Sequence, residues 1–340
     1  MTLLPTLLVV IICAGLLSAL LIVLLRPLLQ RYALARPNAR SSHTIPTPQG
    51  GGIAVILAAL VVSAFGFVVL PDLSPAIPAF AGLAGGAIAL GLVGAVDDIR
   101  PLPPLLRLVF QLAAVALAIV VAGDGALFPV LPHGIELLLV VLGGVWFVNL
   151  VNFMDGLDWI SVAEMTPVTA ALAVFALAGW LDPASGLIAA GLLGGMLGFA
   201  PFNKPVARLF LGDVGSLPIG LIAGFLLYRL ALEGGMAAAI LLPLYHLMDA
   251  TITLLRRLRR GEKVWEAHRS HFYQQATANG WPVIAVSQQV FMLNIVLAIL
   301  AALSLAVDHF LLQSLLVALG FGLTGLVLLR FAKPYSRKPA

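Results

Sequence analysis

The sequence predicts an all-α, polytopic membrane protein, and its composition and segmentation both support this fold class. Of the 340 residues, 61% are hydrophobic and only 10% are charged. The mean hydropathy is +1.08. A soluble domain of this length would carry about a quarter charged residues. The apolar residues recur in runs of roughly 20, which is the length with which a helix crosses a hydrocarbon layer.

The apolar runs predict about eleven transmembrane helices that form one integral membrane domain over residues 1–340. No Lys or Arg precedes Arg26, so we interpret the first run as a retained helix rather than a cleavable signal peptide. The expected spans are 3–25, 51–70, 79–96, 108–122, 137–153, 161–180, 186–202, 216–232, 236–255, 283–306 and 310–330.

The basic residues segregate to one side of this arrangement. Alternate connections carry 18 of the 19 Lys and Arg residues, and only Arg229 lies elsewhere. By the positive-inside rule that side is cytoplasmic, with the N-terminus outside and the C-terminus in the cytoplasm. One helix more or fewer would scramble the segregation, which supports the count of eleven. The net charge of +4 therefore indicates membrane topology, and no nucleic-acid partner is expected.

The stretch 149–161 concentrates polar side chains at the end of a membrane-length apolar run. Carboxylates and carboxamides are costly there unless they bind something. If the turn is helical, Asn152, Asp155 and Asp158 share one face, because residues three apart are neighbours on a helix. We expect one polar cluster at a membrane surface.

Two other predicted cytoplasmic loops carry carboxylates at helix ends. The adjacent carboxylates of Asp97 and Asp98 repel each other unless a cation is near, although they could also be a solvated pair at a helix end. In the loop 203–216, Gly212 lets the backbone approach a ligand closely. Asp213 could then hold a hard cation such as Mg²⁺ beside phosphates, or it could simply cap the next helix.

The first and last large loops of the basic side offer anion contacts. A glycine run at 50–52 opens a helix after a stretch that contains His43, and such turns bind anions through backbone N–H groups. The nearby arginines could equally face anionic lipid heads. In the last loop, His268 and His271 lack the remaining ligands of a zinc site. Contact with phosphate or sugar fits better, with Arg269 giving bidentate hydrogen bonds.

Two ionisable residues, His246 and Asp249, lie within the ninth predicted span. A carboxylate at that depth must be paired or functional. Such residues could relay protons, so a proton-coupled secondary transporter is the alternative class. Carriers place their charges near the bilayer midplane, whereas here almost all charges lie at helix ends. The transporter interpretation is therefore the weaker one.

Taken together, these motifs resemble the polyprenyl-phosphate N-acetylhexosamine-1-phosphate transferases. That superfamily includes phospho-MurNAc-pentapeptide translocase and the enzymes that start O-antigen and enterobacterial common antigen on undecaprenyl phosphate. The likeness covers most of the chain and rests on five segments in order, which are 48–52, 96–98, 152–158, 210–216 and the histidine loop at 268–274.

The resemblance implies transfer of an N-acetylhexosamine 1-phosphate from a UDP-sugar to undecaprenyl phosphate, with release of UMP. It implies Mg²⁺ as cofactor, with Mn²⁺ as a substitute, and Asp213 as its ligand. The active site would lie on the cytoplasmic face of a bacterial inner membrane, and a homodimer is compatible with it. The implied catalytic residues are Asp97, Asp98, Asp155 and Asp158.

The resemblance also implies the substrate contacts. Phe210 looks like an aromatic that stacks on uracil, with Asn203 as its polar neighbour. The remaining implied substrate-binding residues are His43, Asn152, Arg269 and His271.

Two departures bear on the substrate. The phospho-MurNAc-pentapeptide enzymes end in a triple-histidine motif, where this chain has His268-Arg-Ser-His271, and they carry a lysine near the position of His43. Both differences favour the branch that initiates O-antigen synthesis, with phospho-MurNAc-pentapeptide transfer in peptidoglycan synthesis as the runner-up. GlcNAc, FucNAc and QuiNAc all fit as the sugar, and one-step and covalent mechanisms both stay open.

Overall fold

A computed structural model describes residues 3–35, 46–123, 125–263 and 268–335, and most of them are helical. Within these residues, two short strands, β1 (Leu34–Ala35) and β2 (Thr47–Pro48), pair antiparallel. The helices are α1 (Leu3–Tyr32), α2 (Gly52–Val69), α3 (Ile77–Ile99), α4 (Pro104–Val121), α5 (His133–Phe153), α6 (Ile160–Leu177), α7 (Pro183–Phe199), α8 (Asp213–Leu232), α9 (Met236–Leu241), α10 (Leu244–Arg259), α11 (Phe272–Ala278), α12 (Val283–Ala306) and α13 (Phe310–Phe331).

The helix lengths confirm the predicted class of multi-pass membrane protein. Nine helices of the described part of the chain are long and apolar enough to cross a membrane. The helix α7 is apolar as well but has only 17 residues. A described helix overlaps each of the eleven predicted spans, while their count as membrane crossings and their orientation stay predictions.

Two predicted boundaries differ from the structure. The predicted span 236–255 is not one helix, because α9 ends at Leu241 and α10 begins at Leu244. Pro243 lies in the break, and a proline has no backbone N–H to donate to a continuing helix. The first helix runs on to Tyr32, seven residues beyond its predicted end at position 25.

Two deeply buried helices, α7 and α8, organise the bundle. The helix α7 packs against α1, α2 and α6, and α8 packs against α3 and α5. Close approach needs small residues: a Cβ on Gly194 would lie 2.4 Å from the carbonyl oxygen of Ile11 in α1. By contrast, α4 and α13 leave most of their apolar surface exposed, as lipid-facing helices do.

Each end of α8 meets charged side chains from other helices. We call the end around Asp213 the site end, where α8 begins beside the ends of α3 and α5. The other end, around Arg229, we call the far end. The fold therefore gathers polar groups at both ends of a buried apolar helix.

Candidate active site

The start of α8 is capped by a side chain from α3. The Asp98 carboxylate accepts hydrogen bonds from the backbone N–H of Asp213 at 3.0 Å and of Val214 at 3.2 Å. Gly212 precedes them with φ +77°, and a Cβ there would lie 2.5 Å from Asp98 Oδ2. These two N–H groups have no partner within the helix, so Asp98 satisfies them. The sequence allowed Asp213 to cap this helix, but Asp98 caps it instead and thereby positions Asp213.

Glycines in α2 and α3 allow the backbone of this region to pack closely. A Cβ on Gly94 would lie 2.3 Å from the carbonyl carbon and oxygen of Asp213. A Cβ on Gly52 would lie 2.1 Å from the Cα of Gly215. No side chain fits at either position, so both glycines are required for the position of Asp213.

The Asp213 side chain is held between an amide and a guanidinium. Its Oδ1 accepts a hydrogen bond from Asn152 Nδ2 at 2.9 Å, and the same nitrogen donates to Ser216 Oγ at 2.9 Å. Its Oδ2 lies 3.8 Å from Arg107 Nη1, which also lies 2.7 Å from Asp97 Oδ2. Three predicted site residues, Asp97, Asn152 and Asp213, are thus brought together at the ends of α3, α5 and α8, beside Arg107 of α4.

Asp155 lies in the loop after α5 and adds another carboxylate. Its Oδ1 accepts a hydrogen bond from the hydroxyl of Ser161. Burial raises the pKa of Asp155 to about 7, the hydrogen bond from Ser161 opposes this shift, and the charge of Asp98 adds to it. The site end therefore carries more acid groups than nearby positive charge can neutralise.

The predicted common helical face of Asn152, Asp155 and Asp158 is wrong. The helix α5 ends at Phe153, and the chain does not become helical again until α6, after Trp159 adopts a left-handed φ of 64°. Instead, Asp158 turns inward and is 3% exposed, and its Oδ2 accepts a hydrogen bond from the backbone N–H of Ala207 at 2.9 Å.

Asn203 joins the same two loops from the other side. Its Oδ1 accepts a hydrogen bond from the backbone N–H of Trp159 at 2.7 Å, and its Nδ2 donates to the carbonyl of Leu209 at 3.0 Å. The observed contacts of Asp158 and Asn203 therefore connect loop to loop. Their predicted roles with substrate stay predictions.

The glycine run does not present all its N–H groups to a ligand. Gly51 donates to the carbonyl of Phe210 and Gly52 to that of Leu211, each at 2.9 Å. The predicted anion site at 50–52 is therefore partly used within the protein. The same bonds place Phe210 beside the run, and its side chain is half-buried. The predicted contact His43 lies outside the described residues.

The histidine loop packs against the loop that bears Asp155. The Tyr273 hydroxyl donates to the carbonyl of Phe153 at 3.1 Å. His271 is only 2% exposed, and its Nδ1 lies 3.3 Å from Asp249 Oδ1. Arg269 is exposed and lines a cavity of about 420 Å³. The histidine loop therefore contacts the loop that bears Asp155 through Tyr273. Of its two predicted residues, His271 is buried and Arg269 is open to solvent.

The oxygen donors of the site end fit a magnesium ion that shares its shell with phosphate. Within the described part of the chain, no group of three or more His, Cys, Asp or Glu side chains is arranged to hold a metal. Mg²⁺, however, usually takes one or two carboxylates and completes its shell with waters and substrate phosphates. The Asp97 and Asp213 carboxyl groups lie 2.7 and 3.8 Å from the same atom, Arg107 Nη1, so the two are close enough to form a donor set of that kind.

Three residues of this site were not predicted as site residues. Arg107 entered the sequence argument only as a positive charge, although an arginine one turn into an apolar helix is itself unusual. Ser161 closes the polar stretch and could have been recognised from that position. The contact of Tyr273 with Phe153 links positions 120 residues apart and leaves no local signal.

Comparison with known proteins confirms the resemblance. The model of glycosyl transferase family 4 matches residues 80–231, which contain Asp97, Asp155 and Asp213. The decaprenyl-phosphate N-acetylglucosaminephosphotransferase of Mycobacterium tuberculosis (strain CDC 1551 / Oshkosh) is 29% identical over 283 residues, which are 72% of this chain and 68% of that protein.

Two further relatives represent two named activities. The probable undecaprenyl-phosphate N-acetylglucosaminyl 1-phosphate transferase of Bacillus subtilis (strain 168) is 26% identical over 290 residues, 79% of this chain and 78% of its own. A phospho-N-acetylmuramoyl-pentapeptide-transferase of Caldanaerobacter subterraneus subsp. tengcongensis is 31% identical over 201 residues, 51% of this chain and 58% of its own. The chain is therefore similar to glycosyl transferase family 4 over residues 80–231, and to relatives named as decaprenyl- and undecaprenyl-phosphate transferases over most of its length.

Proposed function

We propose that this protein transfers an N-acetylhexosamine 1-phosphate from a UDP-sugar to undecaprenyl phosphate and releases UMP. The observation that carries the proposal is the convergence of Asp97, Asn152 and Asp213 at one end of a multi-pass membrane protein. A lipid acceptor keeps its phosphate in the plane of the membrane surface, where helix ends are also found. Relatives of the chain are named for the same kind of transfer.

The reaction is a displacement at phosphorus. An oxygen of the acceptor phosphate bonds to the phosphorus that carries the sugar, and the bond from that phosphorus to the bridging oxygen breaks. UMP leaves with the bridging oxygen and its electron pair. A phosphate monoester has a second pKa near 6, so the acceptor is mostly a dianion at pH 7 and needs little help from a base. We therefore favour direct attack over a covalent aspartyl-phosphate.

The chain's own residues would hold and orient the reacting groups. Asp213 and Asp97 would hold Mg²⁺, which when bound screens the phosphate charges and stabilises the leaving group. Asn152 keeps Asp213 in place through Oδ1, and Asp98 keeps the start of α8 in place through its backbone. Arg107 contacts both Asp97 and Asp213, so it is available to share a phosphate contact as well.

We further propose that the site end faces the cytoplasm of a bacterium and that the product starts O-antigen or another cell-envelope polysaccharide. The first part rests on the segregation of Lys and Arg. The second rests on the His268-Arg-Ser-His271 motif in place of three histidines. The second candidate is phospho-MurNAc-pentapeptide transfer, which the 31% identity to such an enzyme favours.

The test is UMP release by the purified protein in detergent with undecaprenyl phosphate and Mg²⁺. UDP-GlcNAc, UDP-FucNAc, UDP-QuiNAc and UDP-MurNAc-pentapeptide would be supplied separately. We expect UMP with at least one UDP-N-acetylhexosamine and none without the lipid. UMP release with UDP-MurNAc-pentapeptide and with none of the other donors would instead establish the second candidate. A lack of UMP with every donor, together with proton-driven uptake in vesicles, would establish a carrier.

A further inference from the structure

Asp249 in α10 is a buried carboxylate that the proposed reaction does not use. It is 0% exposed. From the sequence it had to be either paired or functional. Its Oδ1 lies 3.2 Å from Thr253 Oγ1, 2.9 Å from Phe272 N and 3.3 Å from His271 Nδ1, and its Oδ2 lies 3.2 Å from both Tyr245 Oη and Tyr273 N.

Two of these contacts cap a helix of the histidine loop. The helix α11 begins at Phe272, and its first N–H groups have no partner within the helix. The Asp249 carboxylate accepts hydrogen bonds from Phe272 N and Tyr273 N, and no side chain of the preceding residue, His271, caps the helix. A residue of α10 thus sets where the histidine loop begins its helix.

The contact with His271 sets the position of a proton. Both Asp249 oxygens accept hydrogen bonds from backbone N–H groups, which indicates that the ring nitrogen facing Oδ1 also donates and carries the hydrogen. That nitrogen is Nδ1, which leaves Nε2 for any partner on the other side of the ring. The ring also stacks on Tyr273, with centroids 5.8 Å apart and an interplanar angle of 20°. Both the tautomer and the plane of His271 are therefore determined by neighbours.

Tyr273 extends the effect of Asp249 to the loop that bears Asp155. Its backbone N–H is bound to Asp249 and its hydroxyl donates to the carbonyl of Phe153 at 3.1 Å. The fit is close, because a Cβ on Gly156 would lie 2.3 Å from the Tyr273 hydroxyl oxygen. A shift of Tyr273 would thus be transmitted to the residues on both sides of Asp155.

We propose that Asp249 is a positioning residue of the transferase, which keeps the His271 proton on Nδ1 and, through Tyr273, holds the Asp155 loop in place. It acts through these neighbours and touches neither substrate. The proposal rests on the proposed function for its effect on catalysis, while the placement of the His271 proton can be measured without any reaction.

The test compares Asp249→Asn with Glu164→Gln. Asparagine keeps the size of the side chain, but its amide nitrogen cannot accept a hydrogen bond. The control changes another fully buried carboxylate, whose contacts within the described part of the chain are with His246 and Asn294 and not with the histidine loop. Thermal unfolding would establish that each variant is folded, ¹⁵N spectra of labelled histidine would report the His271 tautomer, and UMP release would report catalysis.

We expect Asp249→Asn to lose the Nδ1–H signature of His271 and to reduce kcat/KM by at least about tenfold, as removal of an orienting partner commonly does. Glu164→Gln should keep the Nδ1–H signature of His271 and kcat/KM at the wild-type level. Tyr273→Phe keeps the stacked ring but loses the bond to Phe153, so it should lower kcat and leave the tautomer unchanged.

A folded Asp249→Asn with wild-type tautomer and wild-type rate would overturn the proposal. If that variant does not fold, Tyr273→Phe decides, because wild-type kcat in a folded Tyr273→Phe protein would refute the connection to the Asp155 loop. A wild-type protein that releases no UMP from any donor would refute the proposed function only, since the tautomer of His271 would still be measurable.

Discussion

The two ends of α8 both hold partly buried acid groups, but they stabilise them in different ways. At the far end, Arg229 lies 3.2 Å from Asp182 and 3.0 Å from Glu233, and it donates to the carbonyl of Ala122 at 2.7 Å. Burial alone would raise the pKa of Asp182, but hydrogen bonds from Ser185 and the charge of Arg229 outweigh it and lower the pKa. The far end is a closed ion-pair cluster.

At the site end the acid groups outnumber their partners. Among the described residues, Arg107 pairs with Asp97 and Asp213, just as Arg229 pairs with Asp182 and Glu233. The site end also holds the carboxylates of Asp98 and Asp155, which bind backbone N–H groups and a serine hydroxyl rather than Arg107. The pKa of Asp155 is correspondingly raised to about 7 by burial, with the charge of Asp98 contributing. A surplus of buried negative charge weakens a fold, so its presence indicates a site that is completed by a cation or a substrate.

The largest expected difference between the two ends is in catalysis. We expect Asp213→Asn to lower the rate of UMP release by at least about 100-fold, because it removes a charge that acts on the transition state. Asp182→Asn at the far end should leave the rate near wild type and lower the unfolding temperature instead. Measuring both quantities for both variants tests the distinction, and a comparable loss of rate in Asp182→Asn would contradict it.

The helix α3 offers a matched pair of glycines for the next effect. Gly94→Ala places a methyl group 2.3 Å from the backbone of Asp213, whereas Gly85→Ala meets nothing within 4 Å. We expect Gly94→Ala to reduce UMP release at least about tenfold, because small displacements of catalytic groups are costly. Gly85→Ala should be active. Equal activities of the two variants would mean that the position of Asp213 does not matter.

These contrasts also show what the sequence could and could not predict. Topology alone placed the loops of Asp97, Asp155 and Asp213 on one side, because alternate connections of a helical membrane protein meet at one surface. It could not predict that Asp98 caps α8, since the two positions are 115 residues apart and no local spacing records the contact. The observed contacts of the Asp98 carboxylate are with backbone N–H groups, while its catalytic role stays a prediction.

Hydropathy predicted the membrane spans better than their interruptions. The run 236–255 is apolar throughout most of its length, so hydropathy predicts one helix there, although Pro243 is a signal for a break. The same limit applies to the stretch 152–158, where spacing suggested a helical face. Its path is decided by contacts of Asp158 with Ala207 and of Asn203 with Trp159, which are tertiary.

The far end makes a prediction about stability. Arg229→Ala leaves Asp182 and Glu233 without their shared cation, and all three side chains are about a quarter to a third exposed. We expect the free energy of unfolding to fall by about 1–2 kcal/mol. Thermal unfolding in detergent measures it, with the rate of UMP release per folded molecule as control. An unchanged unfolding temperature would show that the cluster does not stabilise the fold.

The smallest effect is the titration of Asp155 at the site end. In the metal-free protein, the Asp155 carboxyl should lose its proton as the pH rises through about 7. Ser161→Ala should move this midpoint upward, because the hydrogen bond from Ser161 favours the ionised form. Infrared difference spectra follow the protonated carboxyl band, which Asp155→Asn should lack. A midpoint below pH 5 would contradict the raised pKa.

The central claim is that the site end breaks a bond within the diphosphate of a UDP-sugar. The most direct measurement follows a radiolabel placed in either phosphate of the donor during incubation with undecaprenyl phosphate and Mg²⁺. We predict that label from the phosphate next to the sugar appears in the lipid, that label from the phosphate next to uridine appears in UMP, and that Asp213→Asn transfers neither. Transfer of the sugar without its phosphate, or label in the lipid with Asp213→Asn, would contradict this account.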